Sequence, residues 1–192
     1  MNTQILFGPA LREARLALEI PLWKFATAIP HHQGNIQRIE RGIREPRIDL
    51  AMRCLLALKK LKGLEIGTFM SSLAIKAGLR STHGETVEKK LHSGKLRLQA
   101  PNSDQNLPPF AVLLRETRVA HALSQKALAS AAGYSIRNLI SVENGRQNPL
   151  VSTALSLASA TGCDLACFFN ELAKRVSEEQ QDSAAPPDCS GG

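Results

Sequence analysis

This 192-residue sequence predicts an all-α fold of two five-helix units joined by a basic linker. The first observation is a repeat: residues 34–46 (GNIQRIERGIREP) and 135–149 (SIRNLISVENGRQNP) carry isoleucine or leucine, glutamate, glycine and proline in matching places, 103 residues apart. The second is composition, because 43% hydrophobic residues with only 4% aromatics favour aliphatic helical cores. The third is the spacing of apolar residues around both segments, which follows the helical period.

The first unit, residues 1–75, contains five predicted helices. Pro21 can begin the second helix, because the first helical position has no N–H hydrogen bond to lose. Ile29-Pro30 separates this helix from the third, and two short helices with a tight break form a helix-turn-helix. Trp23 is expected to pack in the core or between helices. The predicted helices cover residues 7–18, 22–28, 32–41, 48–60 and about 64–73.

The second unit, residues 109–176, repeats this order. Ser124 and Ser135 are the predicted N-caps of its second and third helices, because a serine hydroxyl accepts a hydrogen bond from an unpaired N–H of the first turn. Gly133 forms the turn between them, and Asn144-Gly145 ends the third helix, since glycine adopts the left-handed conformation readily. Its first, second, fourth and fifth predicted helices cover residues 110–123, 125–131, 150–161 and 164–172.

Two segments lie outside the repeated units. Residues 76–108 form the basic linker, in which KKLHSGKLRLQ either closes as a hairpin over Ser93-Gly94 or remains a solvated chain. Residues 177–192 are polar, small and rich in proline and glycine, which predicts a disordered tail.

The charge is unevenly distributed. The formal net charge is +7, and residues 1–70 carry eleven Lys and Arg against six Asp and Glu, or +5. Residues 71–109 carry +3, residues 110–172 carry +1 and the rest −2. A basic excess suggests a polyanionic partner, and most of it lies in the first unit and the linker.

Each repeat has a glutamate in an unusual position. Glu143 falls on the apolar side of its helix, where a carboxylate is costly without a positive partner. Arg118 stands twenty-five residues upstream, and Arg15 stands at the same distance before Glu40. We therefore predict that Arg15–Glu40 and Arg118–Glu143 are mostly buried structural ion pairs.

These residues resemble the Xre family of helix-turn-helix DNA-binding domains, the phage Cro and repressor type. The second unit carries the resemblance through LSQKALASAAG and SIRNLISVENGRQNP, and the first through LREAR and RIERGIREP. The first unit departs at the start of its second helix, where Pro21-Leu22 replaces Ser124-Gln125, and at the turn, where Pro30 replaces Gly133. The resemblance implies that the third helix of each unit lies in the major groove of double-stranded DNA.

Helical phase and the resemblance indicate the same exposed residues. With Ile36 and Ile39 buried, the third helix of the first unit presents the opposite face to DNA. The resemblance implies base-reading positions at Gln33, Gly34 and Arg38 in the first unit and at Ile136, Arg137 and Ser141 in the second, and helical phase adds Gln37. The backbone-phosphate candidates are Arg41 and Arg44 in the first unit, and Gln125, Asn144 and Arg146 in the second.

The function predicted from these residues is a sequence-specific transcriptional regulator of a mobile element, plasmid, phage or defence operon, with two dissimilar readers in one chain. The readers would pair either within one chain as a pseudo-dimer or between chains as a homodimer through the fifth helix. The alternative is an antitoxin or anti-activator in which one unit binds DNA and the other a protein. The low charge of the second unit, Ile136 and Ile140 on its reading face, and an exposed-looking Cys167-Phe168-Phe169 favour that alternative.

Other classes find no support in the sequence. The four cysteines lack the spacing of a zinc site or a disulfide framework, so neither a metal nor a cofactor is predicted. No nucleophile–base set or phosphate loop indicates an enzyme. Without a signal peptide or an apolar run of membrane-spanning length, we expect a cytoplasmic, nucleoid-associated protein.

Overall fold

The computed structural model describes residues 7–29, 33–79 and 107–182 of the chain. Within these ranges the regular elements are all α-helices. The first five are α1 (Phe7–Ala17), α2 (Leu22–Thr27), α3 (Gln33–Glu40), α4 (Ile48–Lys62) and α5 (Ile66–Lys76). The next five are α6 (Pro109–Ala120), α7 (Gln125–Ala131), α8 (Ile136–Glu143), α9 (Val151–Ala160) and α10 (Leu165–Asp182).

The turns after α3 and α8 have the same backbone conformation. Gly42 and Gly145 have φ angles of +71° and +68°, in the left-handed region that favours glycine. The predicted ending of the third helix at Asn144-Gly145 is therefore confirmed. Gly63 ends α4 in the same way, with a φ of +74°.

Helix α10 is longer than the sequence predicted. The sequence predicts that this helix covers residues 164–172 and that a disordered tail begins at residue 177. The prediction is wrong for the residues up to Asp182, because α10 is an 18-residue helix that ends there. Leu172, Ala173 and Val176 are buried in the region where α10 packs against α4 and α6. Their burial holds the helix past the predicted end, and the glutamates and glutamines that follow have high helix propensity.

The linker lies almost entirely outside the described residues. Residues 80–106 are not described, so the hairpin over Ser93-Gly94 and most of the linker predicted for 76–108 fall outside the structure. The described chain leaves α5 through Ala77, Gly78 and Leu79 and resumes at Leu107.

The two sets of five helices contain the same aromatic contact. Phe7 of α1 meets Phe69 of α5 edge to face, with ring centroids 6.0 Å apart. Phe110 of α6 meets Phe168 of α10 at the same centroid distance and also edge to face. This geometry is favourable for aromatic pairs. The first and fifth helices of each set are thus joined by equivalent residues.

Two expectations about aromatic residues are wrong. Trp23 was expected to be packed, but it is 63% exposed, because Phe25 and Ala26 supply the buried face of α2. Phe168 and Phe169 looked exposed in the sequence, but both are buried. The second correction removes one of the observations that favoured a protein partner.

Helices α5 and α10 pack against each other at very close range. The closest approach is at Gly67, whose backbone N–H donates to Asn170 Oδ1 over 2.9 Å. A Cβ atom at residue 67 would lie 2.5 Å from the carbonyl oxygen of Ala166. Glycine is required here because no side chain fits between the two helices.

The loops before α4 and α9 also meet. An isolated antiparallel bridge joins Arg47 to Leu150. On either side of it, Ile48 N donates to Pro149 O over 2.9 Å, and Val151 N donates to Pro46 O over 3.2 Å. Each donor and each acceptor has its counterpart 103 residues away, so the contacts are reciprocal, as in a two-fold interface. The backbone contacts at this bridge are therefore related by a local pseudo-two-fold symmetry.

Candidate nucleic-acid interface

Helix α8 buries one face and exposes the other. Ser135 Oγ accepts a hydrogen bond from Asn138 N over 3.2 Å, which confirms the predicted N-cap. Leu139, Val142 and Glu143 are buried. The opposite face consists of Ile136, Arg137, Ile140 and Asn144, all exposed, with Ser141 partly buried.

Helix α3 has the same division of faces. Ile36 and Ile39 are fully buried against the core. The exposed face consists of Gly34, Gln37 and Arg38, and Arg41, directly after the helix, is also exposed. Helix α3 begins at Gln33, but the side chain of this base-reading candidate lies outside the described part of the structure.

A bidentate Arg–Glu ion pair lies on the buried side of each of these helices, opposite the exposed face. Arg15 Nε is 2.6 Å from Glu40 Oε1 and its Nη2 is 2.8 Å from Oε2. The corresponding distances from Arg118 to Glu143 are 2.6 and 3.2 Å. Each arginine also donates through Nη1 to the carbonyl oxygen five residues downstream, over 2.7 and 2.9 Å. The pairs tie the last residue of α3 and of α8 to the preceding α1 and α6.

Burial makes these pairs structural elements. The side chains of Arg15 and Glu40 are 7% and 4% exposed, and Glu143 has no exposed surface. The hydrogen bonds to Glu40 raise the pKa of the Arg15 guanidinium, although burial acts in the opposite direction. Each glutamate is thus neutralised by a partner held in fork geometry.

Gln125 has a protein partner in the structure. Its Nε2 donates to Glu143 Oε2 over 2.7 Å, so this phosphate candidate is a third member of the Arg118–Glu143 cluster. Ser124 before it caps α7, with its Oγ accepting from Ala127 N over 3.1 Å, as predicted. The amide of Gln125 retains a second N–H that can still reach a ligand.

Arg115 was missed in the sequence. Its Nη2 donates to the carbonyl oxygen of Glu143 over 2.7 Å and to Asn144 Oδ1 over 3.1 Å. It therefore holds the C-terminal end of α8 and orients Asn144, a phosphate candidate. The sequence feature that could have identified Arg115 is its position three residues before Arg118, because this spacing puts both side chains on one side of α6. The residue 103 positions earlier, Arg12, is exposed.

Replacing Arg115 by alanine is expected to lower the free energy of unfolding by about 0.5–1.5 kcal/mol, because two hydrogen bonds to the end of α8 are lost. Urea denaturation followed by circular dichroism measures this change. Arg12→Ala is the matched control and is expected to change stability by less than about 0.5 kcal/mol. Equal effects of the two substitutions would contradict a role for Arg115 in holding α8.

The remaining phosphate candidates lie beyond the ends of the two helices. Arg41, Arg44 and Arg146 are exposed, and Arg44 Nη1 donates to Asn35 Oδ1 over 3.3 Å. These guanidinium groups follow α3 and α8 directly in the chain. Their exposure leaves them accessible to an anion beside each exposed helix face.

The bridge between Arg47 and Leu150 comes shortly after these turns in the chain. The side chain of Arg47 donates through Nη1 to the carbonyl oxygen of Asn148. Glu45 Oε1 accepts from Ser152 N over 2.6 Å, at the first turn of α9, where a negative charge is favourable. Short loops thus connect α3 and α8 to a contact that joins the two sets of helices.

The described residues also include His, Cys, Asp and Glu side chains, which are common metal ligands. Among them, no three His, Cys, Asp or Glu side chains are grouped to hold a metal ion. Burial raises the pKa of the Cys54 thiol to about 12, so this thiol stays protonated. None of the helices in the described ranges is long and apolar enough to cross a membrane.

In the second set of helices, α7 and α8 are short helices capped by Ser124 and Ser135, and the Arg118–Glu143 pair lies on the buried side of α8, opposite its exposed face. Residues 114–166, from α6 to the first turn of α10, match the helix-turn-helix family HTH_3. The match indicates a DNA-binding transcriptional regulator, and it does not extend into the first five helices. Comparison with curated proteins and with solved structures gave no significant match.

Proposed function

We propose that the chain is a sequence-specific regulator that reads double-stranded DNA with two dissimilar helices, α3 and α8. The observation that carries the proposal is the reciprocal bridge at Arg47 and Leu150. Equivalent loops meet there, which supports a symmetric arrangement of the two helices that precede them. DNA-binding dimers use such symmetry to reach two half-sites about one helical turn apart.

The chemistry of the two exposed faces differs. Gln33 and Arg38 suit adenine and guanine, through bidentate hydrogen bonds in the major groove. Ile136 can only contact a thymine methyl group, while Arg137 suits guanine. The proposed site therefore has two unlike halves, and a perfect inverted repeat would satisfy only one reader.

The pairing of readers is proposed to occur within one chain. Helices α5 and α10 bury each other at Gly67, so this surface is already occupied in the monomer. A homodimer through the fifth helix would have to separate them first. Pairing of the two readers within one chain is thus compatible with the α5–α10 contact and needs no second copy.

The test is selection of duplex DNA from a random pool by the intact chain. We expect a site of two dissimilar halves bound by a monomer, with affinity that falls as salt rises. Analytical ultracentrifugation of the complex measures the number of chains per duplex. A perfectly symmetric site bound by two chains would contradict the proposal.

The substitution Arg38→Ala tests whether α3 reads one half of that site. We expect it to weaken binding to the selected duplex by about 1–3 kcal/mol and to relax base choice at one position. Arg137→Ala is expected to relax a position in the other half. Equal losses on selected and random duplexes would show that Arg38 is a phosphate contact only.

A second candidate is an antitoxin or anti-activator whose second unit binds a protein. The observation in its favour is that Ile136 and Ile140 are 46% and 37% exposed on one face of α8. In that case the selected DNA would be read by α3 alone, and Arg137→Ala would leave its sequence preference unchanged.

A further inference from the structure

Trp23 is an exposed tryptophan beside one of the proposed readers. It lies in α2, the helix that precedes and packs on α3, and it is 63% exposed. The buried face of α2 is formed by Phe25 and Ala26, followed by Ile29. Trp23 stands two residues before Phe25, on the opposite side of the helix. An indole in this position is available to a molecule bound against α2 and α3.

Helix α7, the counterpart of α2 in the second set of helices, shows which residue type stands at the position equivalent to Trp23. Residue 126, which is 103 positions after Trp23, is an exposed lysine in the first turn of α7. Its neighbour Gln125 is bonded to Glu143 at the end of α8, so the first turn of α7 adjoins that end of the helix. Lys126 follows Gln125 directly and is exposed, and its charge suits a phosphate.

The first turn of α2 lacks the polar groups that α7 carries. Pro21 stands in place of the capping Ser124, and no side chain caps α2. Leu22 stands in place of Gln125 and packs on the core. The indole N–H of Trp23 and the ammonium of Lys24 are the side-chain donors left in this turn.

We propose that Trp23 contacts the DNA backbone next to the half-site read by α3, with its N–H on a phosphate oxygen and its ring against the adjoining sugar. It takes the place of the polar anchor that α2 lacks. A tryptophan suits this contact because it has a large apolar body and a polar N–H. This inference rests on the proposed function, since it requires α3 to lie on DNA.

The chain contains one tryptophan, so its fluorescence reports on this residue alone. The full-length protein is titrated with the duplex that it selects. We expect tryptophan emission to be quenched and to saturate at the same DNA concentration as the anisotropy of a labelled duplex. Unchanged emission while the labelled duplex binds would overturn the inference and leave the proposed function standing. Failure to bind any duplex would overturn both.

Three substitutions test the chemistry of the contact. Trp23→Phe keeps a ring but loses the N–H, and we expect binding to weaken by about three- to tenfold, as for one lost hydrogen bond. Trp23→Ala should weaken it further. Trp23→Lys, which copies residue 126, should restore affinity at low salt and steepen the salt dependence by about one counterion.

Leu16→Ala is the matched control, because Leu16 is a 55% exposed apolar residue in the same set of helices. It is expected to bind as the wild type does. Thermal unfolding of each variant checks that the fold is intact, and little change is expected for residues this exposed. DNA binding by Trp23→Ala equal to that of the wild type would overturn the inference.

Discussion

Glu143→Ala is expected to lower the free energy of unfolding by about 3–5 kcal/mol, the cost of leaving a buried charge without its partner. Glu143 has no exposed surface and accepts hydrogen bonds from Arg118 and Gln125. Without the carboxylate, the Arg118 guanidinium keeps only its bond to the carbonyl oxygen of Leu123. Urea denaturation followed by circular dichroism measures the change.

The control is Glu171→Ala, in the same set of helices. Glu171 pairs with Arg175 over 2.9 Å, but both side chains are about a third exposed, at 31% and 28%. A pair this accessible contributes about 0–1 kcal/mol. Comparable losses for Glu143→Ala and Glu171→Ala would contradict the importance of burial.

A second control replaces both members of the buried pair. The double substitution Arg118→Met with Glu143→Leu is expected to recover much of the stability lost in Glu143→Ala, because it removes the unpaired charge as well. A double variant less stable than Glu143→Ala would instead show that the Arg118–Glu143 ion pair contributes more to stability than the apolar pair that replaces it.

Gly67→Leu is expected to have the second large effect, by forcing α5 and α10 apart. A Cβ atom there would already lie 2.5 Å from the Ala166 carbonyl oxygen, which is backbone and cannot rotate away. Overpacking of this kind costs about 1–3 kcal/mol of stability. If α3 and α8 pair within one chain as proposed, separating α5 from α10 should also disturb their spacing, so we expect affinity for the selected two-half site to fall by about tenfold or more.

The matched control is Thr68→Leu, which introduces the same side chain at the next position of α5. Thr68 is exposed, so this change should leave stability within about 0.5 kcal/mol and DNA affinity unaltered. Thermal unfolding and anisotropy of a labelled duplex measure the two quantities. Full affinity in Gly67→Leu would mean that the α5–α10 contact does not set the spacing of the readers.

Much of the local structure could be predicted because its causes are short-range. The caps at Ser124 and Ser135 and the left-handed glycine at residue 145 follow from the bonding needs of helix ends. The apolar sides of α3 and α8 follow from a spacing of three and four residues. Glu143 was recognisable as a buried carboxylate because it broke that pattern.

The candidate site was predictable in its outline but not in its supporting contacts. The exposed faces of α3 and α8 follow from helical phase, whereas Arg115 is identified only by its bonds to the end of α8. Gln125 was expected to face a phosphate, and in the structure it bonds to Glu143. A long polar side chain has several partners within reach, and the sequence does not choose among them.

The sequence by itself determined the all-helical class, the repeated spacing and the residues that needed a partner, since each follows from interactions within one or two turns of helix. Only the tertiary structure decided how α5 meets α10 at Gly67, how Arg47 meets Leu150, and how far α10 extends. It also decided that Trp23 is exposed. These features depend on surfaces brought together from distant parts of the chain, and local pattern carries no record of which surfaces will meet.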